Sequence, residues 1–255
     1  MRPSLSFVVP VYNEEKRLIY FFDKISEISK YSQKYKNIEI IFIDDGSNDK
    51  TNSLITNYIN KYINKIIIKT KHVGMMNAIF AGIDKASSDF IITLEADVPV
   101  EINEIFKIIN NDILIKYDLI IGSRYKNFPA KGVPFIRKIV SKCYLFLYNF
   151  YYKINVSDPQ IGFKIIKKLK YETIKNNLNI NYDGLKSTQL VLLFYMHDYK
   201  IIDIPVNYTY QADSKNFNIK NFITTLSINI LAFIDLYKKT RTLYNKTNLK
   251  SPFRF

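Results

Sequence analysis

The chain has 255 residues, with 37 Lys and Arg against 23 Asp and Glu, so its formal net charge is +14. Hydrophobic residues make up 47% of the sequence and charged residues 24%, which is typical of a globular protein and excludes a disordered one. A single cysteine, Cys143, excludes a disulfide framework, and with His72 and His197 it cannot form a closed zinc site of Cys and His ligands. We interpret Cys143 as a small buried residue and both histidines as surface or packing residues.

The first 125 residues alternate between strand and helix patterns. Short apolar runs predict strands at 5–9, 38–43, 65–69, 90–94 and 118–121. Helix-length segments lie between them at 14–30, 49–62, 73–86 and 102–115. Near-continuous apolar strands that alternate with helices predict an α/β fold with a mostly parallel sheet and helices on both faces. Such sheets bind ligands beyond the carboxyl ends of their strands.

The second half of the chain is organised differently. Its patterns predict helices at 134–153, 187–197 and 218–240, and strands at 163–166 and 200–206. There is no GxGxxG and no GxxxxGK[ST] segment, which excludes a dinucleotide-binding oxidoreductase and a P-loop enzyme.

Two segments hold most of the positive charge. Residues 126–157 contain six Lys and Arg and no acidic residue, and residues 216–255 contain seven against Asp235 alone. Both are also rich in aromatic and aliphatic residues. Basic residues beside amphipathic helices favour contact with an anionic membrane surface, although ordinary packing helices with solvated lysines are the alternative. We find no apolar run long enough to cross a membrane, and because Met1 leads directly into a strand we expect no signal peptide.

Candidate ligand-binding residues follow four of the predicted strands at the edge where ligands bind. They are Pro10, Tyr12 and Glu14 after the first strand, Asp45 after the second, Glu95 and Asp97 after the fourth, and Arg124 after the fifth. Paired carboxylates suit a hard divalent cation that shares its ligands with phosphate oxygens, and an arginine can bind phosphate through two N–H groups. Each turn alone could be an ordinary turn without a ligand. Because all four lie at one edge of the predicted sheet, together they indicate a ligand-binding site.

Nine short motifs, in this order, resemble family 2 glycosyltransferases of the GT-A fold, and among them the dolichyl-phosphate (polyprenyl-phosphate) mannosyltransferases. The motifs are VVPVYNEE (8–15), FIDDGSNDKT (42–51), GMMNAIFAG (74–82), LEADV (94–98), GSRY (122–125), RKIVS (137–141), DPQIGFK (158–164), DIPV (203–206) and SK (214–215). The resemblance implies a GT-A domain over 1–215, with a nucleotide-sugar half at 1–125 and an acceptor half at 126–215. Residues 216–255 would form an amphipathic basic helix and tail that contact a membrane.

The resemblance also implies roles for individual residues. The donor nucleotide would contact Pro10, Tyr12, Glu14, Ile43, Asp45, Glu95, Ala96, Asp97, Arg124 and Lys215. Glu95 and Asp97 would bind Mg²⁺ or Mn²⁺, and Arg137 and Ser141 would face the acceptor phosphate. Asp97, Asp158 and Arg124 are the expected catalytic residues. The implied reaction is transfer of a hexose, with inversion, from GDP-mannose as first choice or a UDP-sugar as second to a polyprenyl (dolichyl) phosphate.

The chain departs from the family pattern at several positions. Glu95 replaces the first Asp of Asp-x-Asp, Met75-Met76 replaces Lys-Gly, and His72 and Gln189 stand where Asn and Glu are common. A phosphate monoester is already an anion at neutral pH and can attack without a general base, so Gln189 suits a lipid-phosphate acceptor, and Asp158 is the candidate if a base is needed.

Two other functions remain open from the sequence. One is a glycosyltransferase that acts on a saccharide or lipid-linked glycan hydroxyl, and the other is a non-catalytic nucleotide-binding or nucleic-acid-binding protein. Acidic turns at the crevice would repel nucleic acid, so we expect no nucleic-acid partner. We expect a peripheral protein on the cytoplasmic face of a membrane, with a separate membrane-anchoring subunit as an additional partner that the sequence leaves open.

Overall fold

The computed structural model of the chain describes residues 2–97, 100–109, 112–126, 135–208 and 219–254, and their side chains except those of 135–139 and 219–227. Its strands are β1 (Leu5–Val11), β2 (Ile38–Asp44), β3 (Asn64–Lys69), β4 (Phe90–Thr93), β5 (Leu119–Ser123), β6 (Lys164–Lys167) and β7 (Ile201–Pro205). They form one sheet in the order β3-β2-β1-β4-β6-β5-β7. All seven lie where the sequence predicts strands.

Strand β6 is the exception to the parallel arrangement. It pairs antiparallel with both neighbours, so that Lys164 lies opposite Thr93 of β4 and Ile121 of β5. All other strand pairs of the sheet are parallel. The prediction of a mostly parallel α/β sheet is therefore confirmed. The reversal also brings the start of β6 to the edge where β4 and β5 end.

The α-helices are α1 (Glu15–Ser26), α2 (Thr51–Asn57), α3 (Met75–Lys85), α4 (Ile102–Ile108), α5 (Asp112–Lys116), α6 (Phe135–Tyr151), α7 (Lys168–Ile174), α8 (Asp183–Met196) and α9 (Ile219–Lys246). Short 3₁₀ helices cover Glu27–Lys34 and Lys175–Asn177. The single helix predicted over 102–115 is two helices, and the sequence reasoning missed α7. No helix within the described residues is long and apolar enough to span a membrane.

The core forms between the sheet and its helices. Five consecutive residues of β1, from Leu5 to Val9, are fully buried, which requires cover on both faces of the sheet. Helix α3 approaches the sheet closely at Gly82, where a Cβ would lie 2.6 Å from Ile43 and from Val8. The absence of a side chain at Gly82 therefore sets how close α3 lies to β1 and β2.

The end of the chain packs against α6 and is not a free polar tail. The Lys153 N–H donates to the Pro252 carbonyl at 2.8 Å, and the Arg254 N–H donates to the Tyr151 carbonyl at 3.0 Å. Phe253 is buried between them, in ring contact with Tyr152. This strand-like contact joins the two basic segments that the sequence analysis singled out.

Cys143 corrects one expectation. It lies exposed on α6, because Tyr148 and Tyr152 occupy the buried side of this segment. The expectation that Cys143 is a small buried residue is therefore wrong.

Substitution of Gly82 by Val tests the close approach of α3 to the sheet. We expect the free energy of unfolding of Gly82→Val to fall by about 1–3 kcal/mol, because the new side chain must displace Ile43 or Val8. Gly184→Val is the control, since a Cβ there meets nothing within 4 Å. Urea denaturation measures both, and equal stabilities would contradict this account of the packing.

Candidate active site

Two loops interlock at the carboxyl ends of β1 and β2. The Asn13 N–H donates to Ser47 Oγ at 3.0 Å, and the Asn48 N–H donates to Asn13 Oδ1 at 2.8 Å. Asn13 has a φ of +54°, a left-handed conformation that asparagine tolerates better than most residues. These contacts fix the turn in which the half-exposed ring of Tyr12 is presented.

Asp45 anchors the loop that follows β3. Its buried carboxylate accepts hydrogen bonds from the Thr70 hydroxyl at 2.5 Å and from the N–H groups of Val73 at 2.7 Å and Gly74 at 3.0 Å. These hydrogen bonds fix the position of the carboxylate and of the loop that donates to it. Asp45 is thus part of the predicted pocket and also the residue that shapes its far wall.

The Asp45-anchored loop carries His72 over Tyr12. The two rings stack with centroids 4.2 Å apart and planes inclined by 30°. The His72 Nδ1 atom lies 3.5 Å from Asp45 Oδ2. The backbone of His72 is in the left-handed region, with a φ of +51°. His72, expected from the sequence to be only a surface or packing residue, forms a wall of the pocket.

One cavity of about 300 Å³ collects most of the predicted donor-binding residues. The predicted residues that line it are Pro10, Tyr12, Glu14, Asp45, Glu95, Ala96 and Asp97. Lining residues that the sequence reasoning missed are Val11, Arg17, His72, Gly74 and Met75. The side chain of Arg17 reaches the carboxylate of Glu14 at 3.0 Å, one helical turn away, and this spacing was the signal in the sequence that could have found it.

The acidic side of the cavity is built directly after β4. The carboxylate of Glu95 lies against the backbone of Gly162, so closely that a Cβ on Gly162 would overlap it. Glu95 and Asp97 offer only oxygen atoms to the cavity, and a hard divalent cation prefers such ligands. Within the described part of the chain no cluster of three His, Cys, Asp or Glu could hold a metal ion. As oxygen donors, the two side chains fit a hard divalent cation.

Ile43, Arg124 and Ser141 are the described residues of the predicted donor and acceptor set that do not line this cavity. Ile43 is fully buried in β2, and the group it approaches is Gly82 in the core. Lys215 lies outside the described residues, as does the side chain of Arg137 in α6.

Arg124 and Asp158 form an ion pair with each other. Arg124 donates from Nε to Asp158 Oδ2 at 2.7 Å and from Nη2 to Oδ1 at 2.9 Å. Asp158 is buried, and the ring centroids of Tyr125 and Tyr208 lie 5.5 and 5.2 Å from the guanidinium carbon of Arg124. Burial acts to lower the pKa of Arg124, but the hydrogen bonds and charge of Asp158 outweigh it and raise the pKa above its ordinary value.

Arg124 lines a second, much smaller cavity. This cavity of about 10 Å³ has room for roughly one water molecule. Its walls are Arg124, Tyr125, Ser141, Tyr144, Leu145, Asp158, Pro159 and Gln160. Ser141, the predicted acceptor-side residue of α6, is thus brought beside Arg124. The turn 158–162 separates the two cavities, because Asp158 faces the small one and Gly162 backs Glu95 in the large one.

Gln189 lies away from both cavities. Its side-chain oxygen accepts from the N–H groups of Asn179 and Ile180 at 3.1 Å, and its nitrogen donates to the Asn177 carbonyl at 3.1 Å. A glutamate could not make the last contact at neutral pH, because an ionised carboxylate has no donor. Gln189 therefore ties down the segment that precedes α8.

Asp183 joins the two halves of the chain. Its carboxylate accepts hydrogen bonds from the N–H groups of Met76 and Asn77, both at 3.0 Å, and so caps the first turn of α3. The same carboxylate fills the space beside Gly74, whose φ is +97°. No local signal in the sequence announces this contact, because more than a hundred residues separate the partners.

The fold is shared with solved glycosyltransferases. The chain superposes with a TM-score of 0.60 on a mannosyltransferase from Pyrobaculum calidifontis in complex with GDP-Man and Mn²⁺, at 14% identity over 95% of this chain and 65% of that one. The TM-score is 0.62 for glucosyl-3-phosphoglycerate synthase from Mycobacterium tuberculosis in complex with UDP, at 14% identity over 93% of this chain and 80% of that one. The expected GT-A fold is thereby confirmed.

Sequence comparison identifies the family. Residues 6–175 match the family model of glycosyl transferase family 2, and the chain therefore belongs to that family. It is 29% identical over 215 residues to a dolichol-phosphate mannosyltransferase of Pyrococcus furiosus, covering 82% of this chain and 57% of that protein. It is also 29% identical over 228 residues to a dolichyl-phosphate beta-glucosyltransferase of Trichomonas vaginalis, covering 86% and 69%. The chain thus spans little more than half the length of the Pyrococcus relative.

Gly162→Ala tests the support that Gly162 gives to Glu95. The added methyl group must push the Glu95 carboxylate aside. If Glu95 binds the cation that the sequence predicts, Mn²⁺ affinity in the presence of UDP or GDP falls roughly 10–100-fold. Gly184→Ala serves as the control, and isothermal titration gives the affinities. Equal Mn²⁺ affinity in both variants would contradict the placement of Glu95.

Proposed function

We propose that this chain transfers a hexose from a nucleotide diphospho-sugar to a polyprenyl phosphate with the assistance of a divalent cation. The observation that carries the proposal is the shared cavity of Tyr12, Asp45, Glu95 and Asp97, which is separated by one turn from the cavity of Arg124 and Ser141. Membership of glycosyl transferase family 2 supports the reaction class, and similar proteins that are named for dolichyl phosphate support the acceptor.

The large cavity suits the donor. The face of Tyr12 offers a stacking surface for a nucleobase, and His72, which covers this face, is exposed enough to turn aside. Glu95 and Asp97 would hold Mg²⁺ or Mn²⁺ against the diphosphate. When bound, such an ion neutralises the negative charge that develops on the leaving diphosphate. GDP-mannose is the first candidate donor and UDP-glucose is the second. Both sugars are candidates because this chain is similar to one relative named for mannosyl transfer and to another named for glucosyl transfer.

The phosphate of the acceptor would lie beside the small cavity, which itself has room for only about one water molecule. Arg124 and Ser141 would bind its oxygens there, with Arg137 of the same helix as a third candidate. A phosphate oxygen would attack the anomeric carbon and form the new C–O bond, while the bond to the diphosphate breaks and its electron pair leaves with the nucleotide. The attack would come from the opposite face, so the configuration would invert.

This acceptor removes the need for a general base. A sugar hydroxyl must lose a proton during attack, whereas a phosphate monoester is already ionised at neutral pH. Asp158 is the candidate base for the alternative, a saccharide acceptor, but both of its oxygens accept from Arg124. Proton uptake by Asp158 would weaken that ion pair, so the pairing supports the phosphate acceptor over the hydroxyl acceptor.

A transfer assay tests the proposed function. Purified protein is incubated with GDP-mannose or UDP-glucose and with polyprenyl phosphate, polyprenol or an oligosaccharide, each with Mn²⁺ or with EDTA. We expect transfer to polyprenyl phosphate alone, dependent on Mn²⁺. Transfer to the oligosaccharide alone would replace the proposal by the saccharide alternative.

The same assay takes two variants. Asp97→Ala should lose about 100–1000-fold in turnover, because the leaving diphosphate would lose electrostatic stabilisation. Asp23→Ala, at an exposed position of α1, is the matched control and should keep full activity. Unchanged turnover in Asp97→Ala would exclude the cavity as the reaction site.

We further propose that α6 and α9 lie on an anionic membrane surface, where a lipid acceptor is found. Exposed apolar side chains on these packed helices include Phe146, Leu147 and Phe150 of α6 and Ile230, Leu231 and Ile234 of α9. The exposed cations Lys142, Lys238 and Arg241 lie on the same two helices. Apolar residues beside cations bind the interface of anionic bilayers. The cytoplasmic face of that membrane stays a prediction.

Vesicle binding tests the membrane proposal. We expect the purified chain to sediment with vesicles that contain phosphatidylglycerol, and Phe146→Ser/Phe150→Ser to bind at least about tenfold more weakly because apolar area is lost from the interface. Ile59→Ser is the control, since Ile59 is 88% exposed on a different part of the surface. Equal binding of both variants would exclude α6 as the contact. Binding by the chain alone would show that no anchoring subunit is required.

A further inference from the structure

Lys164 is a buried cation to which the proposed reaction assigns no role. It begins β6 in the interior of the sheet, and only 2% of the residue is exposed to solvent. Lysine is almost never fully buried without polar partners, because an ammonium group loses its hydration there. The position therefore requires an explanation that core packing does not give.

The ammonium group of Lys164 is bound to the turn 158–162. It donates to the Ile161 carbonyl in a very short contact and to Ser187 Oγ of α8 at 2.7 Å. The Ser187 hydroxyl in turn donates to the Pro159 carbonyl at 2.8 Å. The carbonyls of Pro159 and Ile161, both in this turn, are thus bound by Ser187 and Lys164.

The turn 158–162 supports a charged group of each cavity. The first residue of the turn, Asp158, accepts a hydrogen bond from the guanidinium of Arg124. The last residue, Gly162, lies directly against the carboxylate of Glu95. The Gly162 carbonyl also accepts a hydrogen bond from the Thr93 hydroxyl, which ties the turn to β4. A shift of the turn would therefore move Arg124 and Glu95 together.

We propose that Lys164 is a positioning residue that, together with Ser187, fixes the turn 158–162 and thereby sets the places of Arg124 and Glu95. Its effect on transfer rests on the proposed function, but its hold on the turn does not. Asp158 and Glu95 both favour the charged lysine, whereas burial and the charge of Arg124 oppose it. Burial is the largest of these influences and lowers the pKa of Lys164 to about 7. The electrostatic environment thus links the lysine to the same three charged groups that the turn arranges.

Lys164→Met is the central variant. Methionine has a similar length and no N–H donor. It leaves the Ile161 carbonyl and Ser187 Oγ without this donor, but it also removes the cost of burying an ammonium group. Lys167→Met is the matched control in the same strand, because Lys167 is partly exposed and pairs with Asp118 away from the turn. Ser187→Ala removes the second support and leaves the lysine in place.

Hydrogen–deuterium exchange of these variants decides the proposal without an activity measurement. We expect exchange of the amides at 157–163 and 94–97 to rise roughly tenfold in Lys164→Met, to rise less in Ser187→Ala, and to stay unchanged at 5–12. The melting temperature should stay close to that of the Lys167→Met control. Exchange at 157–163 equal to the control would overturn the proposal. A general rise in exchange with a large fall in melting temperature would also overturn it, since Lys164 would then only stabilise the core.

Kinetics extend the test to the reaction. At saturating Mn²⁺ we expect kcat of Lys164→Met to fall roughly 10–100-fold while KM for the donor changes little, because the nucleoside is held by loops remote from the turn. A rise in donor KM at unchanged kcat would contradict positioning of the reacting groups. If wild-type protein transfers no sugar in any of the assays, the proposed function fails, and the exchange data alone still decide the role of Lys164.

Discussion

The reversal of a single strand determines where the charges of the candidate site meet. In a parallel sheet, the residues that precede a strand lie at the opposite edge from those that follow its neighbours. Because β6 is antiparallel to β4 and β5, its preceding turn, 158–162, lies where those two strands end. Glu95 follows β4 and Arg124 follows β5, so both are within reach of this turn. The two cavities and their separation by one turn follow from this geometry.

The carboxylates near the site divide into two groups with different tasks. Asp45 and Asp183 accept hydrogen bonds from backbone N–H groups of distant segments. Asp158 accepts hydrogen bonds from the guanidinium of Arg124. These three shape the walls, since their hydrogen bonds fix the segments that they join. Glu95 and Asp97 line the large cavity and form the pair proposed for the cation. Acids of the first group preorganise a site in which acids of the second group would act.

Patterns local in the chain were enough to predict the strands and most of the residues that line the large cavity. Apolar runs predicted all seven strands, and turn residues after them predicted the convergence of Tyr12, Asp45 and Glu95, because strand ends of a parallel sheet share one edge. The missed features depend on contacts between remote segments or on burial. The pairing of Arg124 with Asp158 and the burial of Lys164 leave no periodic trace in the sequence. Ile43 shows the opposite error, since a motif assigned it to the pocket and the packing of Gly82 holds it in the core.

The pairing of Arg124 with Asp158 is compatible with phosphate binding because of the shape of a guanidinium group. Arginine carries five N–H donors in one plane, and Asp158 occupies those of Nε and Nη2 on one side of the fork. Tyr125 and Tyr208 lie near the guanidinium, which favours a fixed orientation of the plane. The N–H groups of Nη1 lie in the same plane, but they point away from Asp158, which accepts from Nε and Nη2. A lysine at this position would have one compact charge to share between a carboxylate and a phosphate, whereas the arginine can be held by the first while it binds the second.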